Sequence, residues 1–314
     1  MLEFFKKLMQ GRSKVPKLDV TKRFQLVSRV GQGSMSKVWR AVDGYNGRTV
    51  ALKLLDIEKT KRLEARFKGI KTPKPTEGDV ALKLKHPHIV QTFEVGITTN
   101  NEQYLVMEFV EGVSLSYLVD VQNEVMQRNR LRFMIELGEA IEYFHRQNWI
   151  HRDICPRNIL LDTDYSIKLI DFGLVVPNTP EFQAPGNRTG TANYMAPELI
   201  KRQRTDQRID IFSYAVTCYE MYAKRLPWEA AETLDAVVQH INNPPEDLKR
   251  HCPDVDPRVA YVIMKGLSVE PRDRWQTMGQ LLDKLREVRA EESKPEPVSN
   301  PAPAPKAKPK PKTN

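Results

Sequence analysis

The sequence predicts an α+β fold in which strands come first and helices follow. Strand-type apolar runs predominate from Phe24 to about Val110, whereas apolar residues recur at helical spacing after Ser114. With 40% hydrophobic residues in 314, the chain can bury a sizeable core in one or two domains.

In chain order, the first signal is Gly31-Gln32-Gly33-Ser34-Met35-Ser36. It leaves almost no side chain near its turn, so backbone N–H groups can approach phosphate oxygens. Taken alone, the two glycines would better suit a hairpin turn. Val50-Ala51-Leu52-Lys53 then alternates as a strand and ends on a lysine. Pro73 and Pro75 should stop any helix arriving from Glu58 to Lys71 and start a new one near Thr76. On that helix Glu77, Val80, Ala81 and Leu84 share a face, which turns the Glu77 carboxylate inward.

Tyr104 to Gly112 reads as a buried strand and its exit. The helix Leu131 to His145 belongs to the core and leads into His151-Arg152-Asp153. Asn158 stands five positions after Asp153, and Asp171-Phe172-Gly173 begins 18 after it. Two such acids held across a strand–turn–strand can serve one reaction, one orienting a hydroxyl and the other holding a cation on a nucleotide. Singly, each also suits turn capping. The longest apolar stretch, Ile209 to Tyr222, is interrupted by Asp210, Ser213, Thr217 and Glu220; it is too short for a bilayer and reads as a buried helix.

The net charge of +9 sits mostly at the ends. Residues 1–23 carry seven Lys or Arg against Glu3 and Asp19, and residues 291–314 carry five Lys against three Glu, leaving +2 for everything between. A near-neutral middle argues against nucleic-acid binding and for charged tails. In the basic N-terminal extension, Met1, Leu2, Phe4, Phe5, Leu8 and Met9 fall within an arc of about 160° of a helix. Such a short helix suits docking on this protein or a partner, with contact to an anionic membrane surface and simple fraying the less favoured alternatives. The Pro/Lys-rich residues 291–314 cannot bury a core and read as a disordered tail. Only Cys155, Cys218 and Cys252 occur, so no disulfide framework is indicated and a reducing, cytoplasmic setting is expected.

From about Phe24 to Ala290 the motifs, in their order, resemble the protein kinase family. They include Gly190-Thr191-Ala192-Asn193-Tyr194-Met195-Ala196-Pro197-Glu198, similar to the end of an activation segment, and Pro271-Arg272-Asp273-Arg274-Trp275. The resemblance implies a two-lobed fold: a small, mostly antiparallel β lobe over about residues 24–110 with one regulatory helix, and a larger helical lobe over about 111–290. It also implies ATP and Mg²⁺ as cofactors and protein Ser/Thr hydroxyls as acceptors, with autophosphorylation. A compact chain with such a tail is compatible with a bacterial kinase of eukaryotic type.

By that resemblance Gly31 and Gly33 cover the phosphates, and Lys53 meets the α- and β-phosphates and pairs with Glu77. Val38, Ala51, Met107 and Leu160 sandwich the adenine, whose edge binds the backbone of Glu108 and Val110. Asp153 orients the attacking hydroxyl and accepts its proton, while Asn158 and Asp171 hold Mg²⁺. Thr189 and Thr191 are regulatory candidates, Arg152 being the residue that would receive a phosphate on Thr189. Glu198, Asp210 and Arg274 are structural anchors, with Glu198 and Arg274 an ion pair.

Three departures bear on function. Ser36 replaces the third glycine of the phosphate loop. Glu77 lies in the first turn of a separately started helix, so its pair with Lys53 is expected to form only on activation or partner binding. Cys155 stands where serine/threonine kinases usually carry a Lys at the transferring phosphate, and Arg157, at a position where many tyrosine kinases carry Arg, is expected to supply that charge. These departures motivate a pseudokinase scaffold as the alternative function. A small-molecule phosphotransferase is disfavoured by the segment from Gly190 to Glu198, which builds a peptide platform.

Overall fold

Five strands account for the small lobe: β1 (Phe24–Gln32), β2 (Ser36–Asp43), β3 (Thr49–Leu55), β4 (Thr92–Ile97) and β5 (Gln103–Glu108). They form one antiparallel sheet in the order β1-β2-β3-β5-β4. The computed structural model describes residues 17–32, 36–67, 69–186, 188–228 and 243–292. Its register pairs Val38 with Lys53, Lys53 with Leu105, and Ala51 with Met107. Because strand side chains alternate, these five residues share the sheet face that looks toward the large lobe. The other face packs Phe24, Ala41, Val50, Leu52, Tyr104 and Val106 into a separate small cluster.

The sheet begins before the boundary at residue 24. Leu18 adds a bridge to β4's end, donating to Ile97 and accepting from Thr99 at 3.0 Å each. Asp19 caps the short helix α1 (Val20–Arg23), and Arg23 forks onto Asp43 and Glu94 at 2.8–2.9 Å. The last residues of the basic extension are therefore part of the small lobe: Arg23 counts as a tail charge in the sequence, but it is a partly buried cross-strand tie. The amphipathic run at residues 1–10 and the tail from residue 293 lie outside the described residues. At the other end, the last helix runs through Glu292, two residues beyond the expected boundary.

Between β3 and β4, Asp56 caps α2 (Ile57–Ala65), which ends well before Pro73. A new helix, α3 (Glu77–Ala81), starts after Thr76, as the two prolines require. Thr76 and Asp79 form a capping box: the Thr76 hydroxyl accepts from the Asp79 amide at 3.1 Å, and the Asp79 carboxylate accepts from the Thr76 amide at 3.1 Å.

The large lobe is helical, as its apolar periodicity requires. It contains α4 (Leu115–Val121), α5 (Glu124–Arg146), α7 (Pro197–Ile200), α8 (Arg208–Ala223), α9 (Leu248–His251), α10 (Pro257–Gly266) and α11 (Met278–Glu292), with α6 (Pro180–Gln183) in the segment before α7. Short strands β6 (Gly112–Ser114), β8 (Ile159–Asp162) and β9 (Ile167–Leu169) form one ribbon, and β7 (Trp149–Ile150) pairs with β10 (Val176–Pro177). The interrupted apolar stretch is α8, buried on nearly all sides: Ile209, Ile211, Tyr214, Val216, Cys218 and Tyr219 are each at most 1% exposed. No helix among the described residues is long and apolar enough to cross a membrane.

Two charged anchors fix the loops that carry the site. Buried Asp210 accepts the backbone N–H groups of His151 and Arg152 at 2.8 Å each and the His145 ring at 3.0 Å. Arg274 meets Glu198 through two parallel bonds of 2.7 Å, both residues buried, and its remaining donors bind the carbonyls of Ser268, Val269 and Arg208. The bidentate match and filled donors are what make a buried pair tolerable.

Candidate active site

Lys53, Glu77, Asp153 and Asp171 line one cavity between the lobes. The Lys53 ammonium, 4% exposed, lies 2.5 Å from Glu77 and 2.9 Å from Asp171. Burial alone would push Lys53 down, but the two carboxylates outweigh it and hold its pKa above the ordinary value. Asp171, opposed by burial but favoured by Lys53, stays below the usual carboxylate range. It is ionised at neutral pH and 42% exposed at its side chain, open to a cation. The pair expected to form only on activation is closed here. The capping box holds the short helix that carries Glu77 in its first turn, and the carboxylate is bound to Lys53 despite the helix's late start.

Asp153 is held from two sides. One carboxylate oxygen accepts the Thr191 amide at 2.8 Å and the Thr191 hydroxyl at 2.7 Å; the other accepts the Asn158 amide at 2.8 Å. That amide also donates to the Asp153 carbonyl at 2.9 Å, leaving the Asn158 side-chain oxygen for another ligand. Asp171 and Asn158 thus offer a carboxylate and an amide oxygen. This small, hard donor set fits Mg²⁺ whose other ligands are phosphate and water oxygens. Thr191, read as a regulatory candidate, is placed as a partner of the proposed base.

Strain marks the same residues. Arg152 and Asp171 adopt left-handed backbone conformations, φ 70° and 66°, which cost non-glycine residues roughly 1–3 kcal/mol each. Asp210 holds the first and Lys53, with the Gly173 amide on the Asp171 carboxylate at 3.2 Å, holds the second. Phe172 is 1% exposed and packs on Phe144 and His151, with ring centroids 5.6 and 6.1 Å away. Gly190 has φ 134°, and a Cβ there would lie 2.6 Å from the Arg152 carbonyl, so only glycine lets the segment pass the catalytic loop.

The adenine-side candidates share a wall. Val38, Ala51 and Met107 lie on the inner sheet face, while Leu160 comes from β8 in the large lobe. Glu108 spends its amide on the Gln91 carbonyl at 2.9 Å and its carboxylate on Lys168 at 3.0 Å, so its backbone could offer only the carbonyl to a base. The Val110 amide makes no hydrogen bond among the described residues. Gly31 pairs with Val38 at the end of β1; Gly33 lies outside the described residues.

Cys155 is buried, its sulfur 3.8 Å from the Thr191 hydroxyl, and burial pushes its thiol up to about 11, which makes it inert at neutral pH. Arg157 is exposed on the turn Pro156–Asn158 and makes no hydrogen bond or ion pair with Asp153; its electrostatic neighbours include Cys155, Tyr194 and Glu220. Thr189 is not an exposed loop residue: it is 4% exposed and its hydroxyl has no partner among the described residues. Arg152 is also buried, donates to the Phe182 carbonyl at 3.1 Å, and keeps two nitrogens without partners among the described residues; burial pulls it down to about 10.

The chain matches the protein kinase domain family over residues 24–285. It belongs to that family. Curated relatives include a probable serine/threonine-protein kinase of Clostridium acetobutylicum, 28% identical over 86% of this chain and 40% of that protein. A second, pknA2 of Bifidobacterium longum, is 30% identical over 77% of this chain and 32% of its own length. The serine/threonine-protein kinase PknA of Mycobacterium tuberculosis is 32% identical over 91% of this chain and 66% of that protein. The chain therefore spans less than half of the first two relatives and about two thirds of the third. As a protein kinase domain it has the two lobes that the resemblance implied.

Proposed function

We propose that this protein kinase domain transfers the γ-phosphate of ATP to Ser/Thr hydroxyls of proteins, in a Mg²⁺-dependent reaction, and that it autophosphorylates. The observation that carries the reading is the shared cavity, in which Asp153, fixed by Thr191 and Asn158, faces Asp171, fixed by Lys53. When bound, ATP supplies the phosphoryl group and Mg²⁺ withdraws charge from the β- and γ-phosphates. Asp171 and Asn158 would hold the cation, and Lys53 would exchange part of its contact with Asp171 for the α- and β-phosphates. Asp153 orients the hydroxyl and takes its proton as the oxygen attacks phosphorus and ADP leaves. Val38, Ala51, Met107 and Leu160 suit a planar base, with Glu108 and Val110 at its edge. Gly31, at the end of β1, would lie over the phosphates.

Arg157, exposed and with no ion-pair partner among the described residues, would meet the charge of the transferring phosphate that Cys155 cannot meet. The serine/threonine class is favoured by Thr191, whose hydroxyl reaches the proposed base, and by the names of the relatives. Of the three motives for a pseudokinase, Cys155, Ser36 and the proline-interrupted helix, the last is weakened by the Lys53–Glu77 pair, and Lys53, Asp153, Asn158 and Asp171 are all in place. A cytoplasmic setting and a protein substrate go with this reading, with no nucleic-acid partner. Incubation with labelled MgATP and a generic basic protein tests it, using Asp153→Asn as control. Transfer to Ser/Thr that the control abolishes supports the reading, and absence of transfer counts against it.

A further inference from the structure

Residues 66–76 stand between α2 and the late start of α3, and three of them grip the large lobe. The Lys74 ammonium donates to the Gly173 carbonyl at 3.1 Å and to the Pro75 carbonyl at 3.3 Å, and lies 6.0 Å from the centre of the Phe67 ring. Phe67, 6% exposed, meets Phe182, 2% exposed, with ring centroids 5.9 Å apart at 45°. The Phe182 carbonyl in turn accepts from Arg152, and Arg66 reaches the Arg188 carbonyl at 3.5 Å. Gly173 follows Asp171 by two residues and Arg152 precedes Asp153, so both ends of this chain of contacts finish beside the reacting groups.

The lysine is set in place by sequence. Proline on either side fixes the local backbone, and a residue before proline is held extended. Its hydrogen-bond partners are carbonyls; Glu77, Glu64 and Arg152 face it at longer range. Kinase activation segments are commonly ordered by an added phosphate that pairs with arginine. Here Arg152 holds a loop carbonyl, Thr189 is buried where a partner kinase would have to reach it, and the Lys53–Glu77 pair is closed.

We propose that Lys74 and Phe67 form a built-in clasp that holds the segment from Gly173 to Phe182 in its working arrangement without phosphorylation. The proposal rests on the kinase reading. Both are positioning residues: Lys74 acts through Gly173 on the metal-holding Asp171, and Phe67 acts through Phe182 on the loop that carries Asp153. The prolines that break the regulatory helix thereby gain a purpose, since an unbroken helix would carry no such lysine loop to Gly173.

The test uses the full chain, stripped of phosphate by a phosphatase, verified by intact mass, and compared with the protein as isolated. Peptide phosphorylation by the two forms is expected to agree within about twofold, without a lag. Lys74→Met and Phe67→Ala should each lower kcat/KM for MgATP by about tenfold or more, with Lys74→Arg recovering most of the loss. Hydrogen exchange over residues 174–182 should be slow in the phosphate-free wild type and fast in Lys74→Met, with exchange in the large-lobe core helices α5 and α8 no faster than in the wild type. A lag removed by preincubation with MgATP, a large loss of rate after phosphatase, or wild-type kinetics in Lys74→Met would overturn the clasp. The exchange arm reads the clasp without catalysis: loss of protection in Lys74→Met supports it even if no peptide is phosphorylated, an outcome that counts against the kinase reading alone.

Discussion

Thr191 donates both its backbone N–H and its hydroxyl to one oxygen of Asp153, at 2.8 and 2.7 Å, while Asn158 binds the other oxygen. The carboxylate is thereby oriented in a loop that has Cys155 where a lysine is usual. Removing the hydroxyl leaves the amide bond but frees the carboxylate to rotate. Thr191→Ala should lower kcat by about 10²-fold with KM for ATP little changed, and Thr191→Ser should retain most activity. Steady-state kinetics of the two variants check this.

Arg157 carries the second prediction. If its exposed guanidinium meets the charge of the transferring phosphate, Arg157→Ala should lower kcat by about 10²–10³-fold, the usual effect of losing one preorganised donor. Restoring a cation from the other position, Cys155→Lys in the Arg157→Ala background, should recover part of the loss. Full phosphotransfer by Arg157→Ala would show that no such charge is needed.

The Glu198–Arg274 pair sets a prediction on stability. Both groups are buried and bidentate, so Arg274→Ala strands a carboxylate and should cost about 3–5 kcal/mol, read as a lower urea midpoint. Lysine cannot reproduce the fork, and Arg274→Lys should recover little of that loss.

Lys74 gives a pH dependence of defined sign. Burial pulls it from 10.5 down to about 8, so between those values the unfolded chain binds the proton that the folded chain has lost. Stability from this group therefore rises as pH increases from about 8 to 10.5, and the charge penalty is fully present below pH 8. Relative to Lys74→Met, the wild type should gain up to about 3 kcal/mol between pH 7 and 10.5, by urea unfolding at each pH.

Much of the site was legible because spacing along the chain survives folding. Asp153 and Asn158 sit before, and Asp171 after, one short strand–turn–strand, and Lys53 is fixed by the register of three paired strands. What the sequence hid depended on contacts between distant segments. Arg23 looked like one more tail charge until Asp43 and Glu94 faced it. Thr189, a polar residue in a polar loop, gave no sign of its burial. The helix start that the two prolines require is where they put it, and the Thr76 and Asp79 of its capping box stand at readable spacing in the same stretch. The prolines around Lys74 are plain in the sequence, but its partners are not, since they are backbone carbonyls.

The most direct measurement is phosphosite mapping by mass spectrometry after incubation with MgATP and a protein substrate, beside Asp153→Asn. Phosphate on Ser or Thr in the wild-type reaction and none in the variant is the predicted result. Equal incorporation in both, incorporation on Tyr alone, or none in either would contradict a serine/threonine kinase that uses Asp153 as its base.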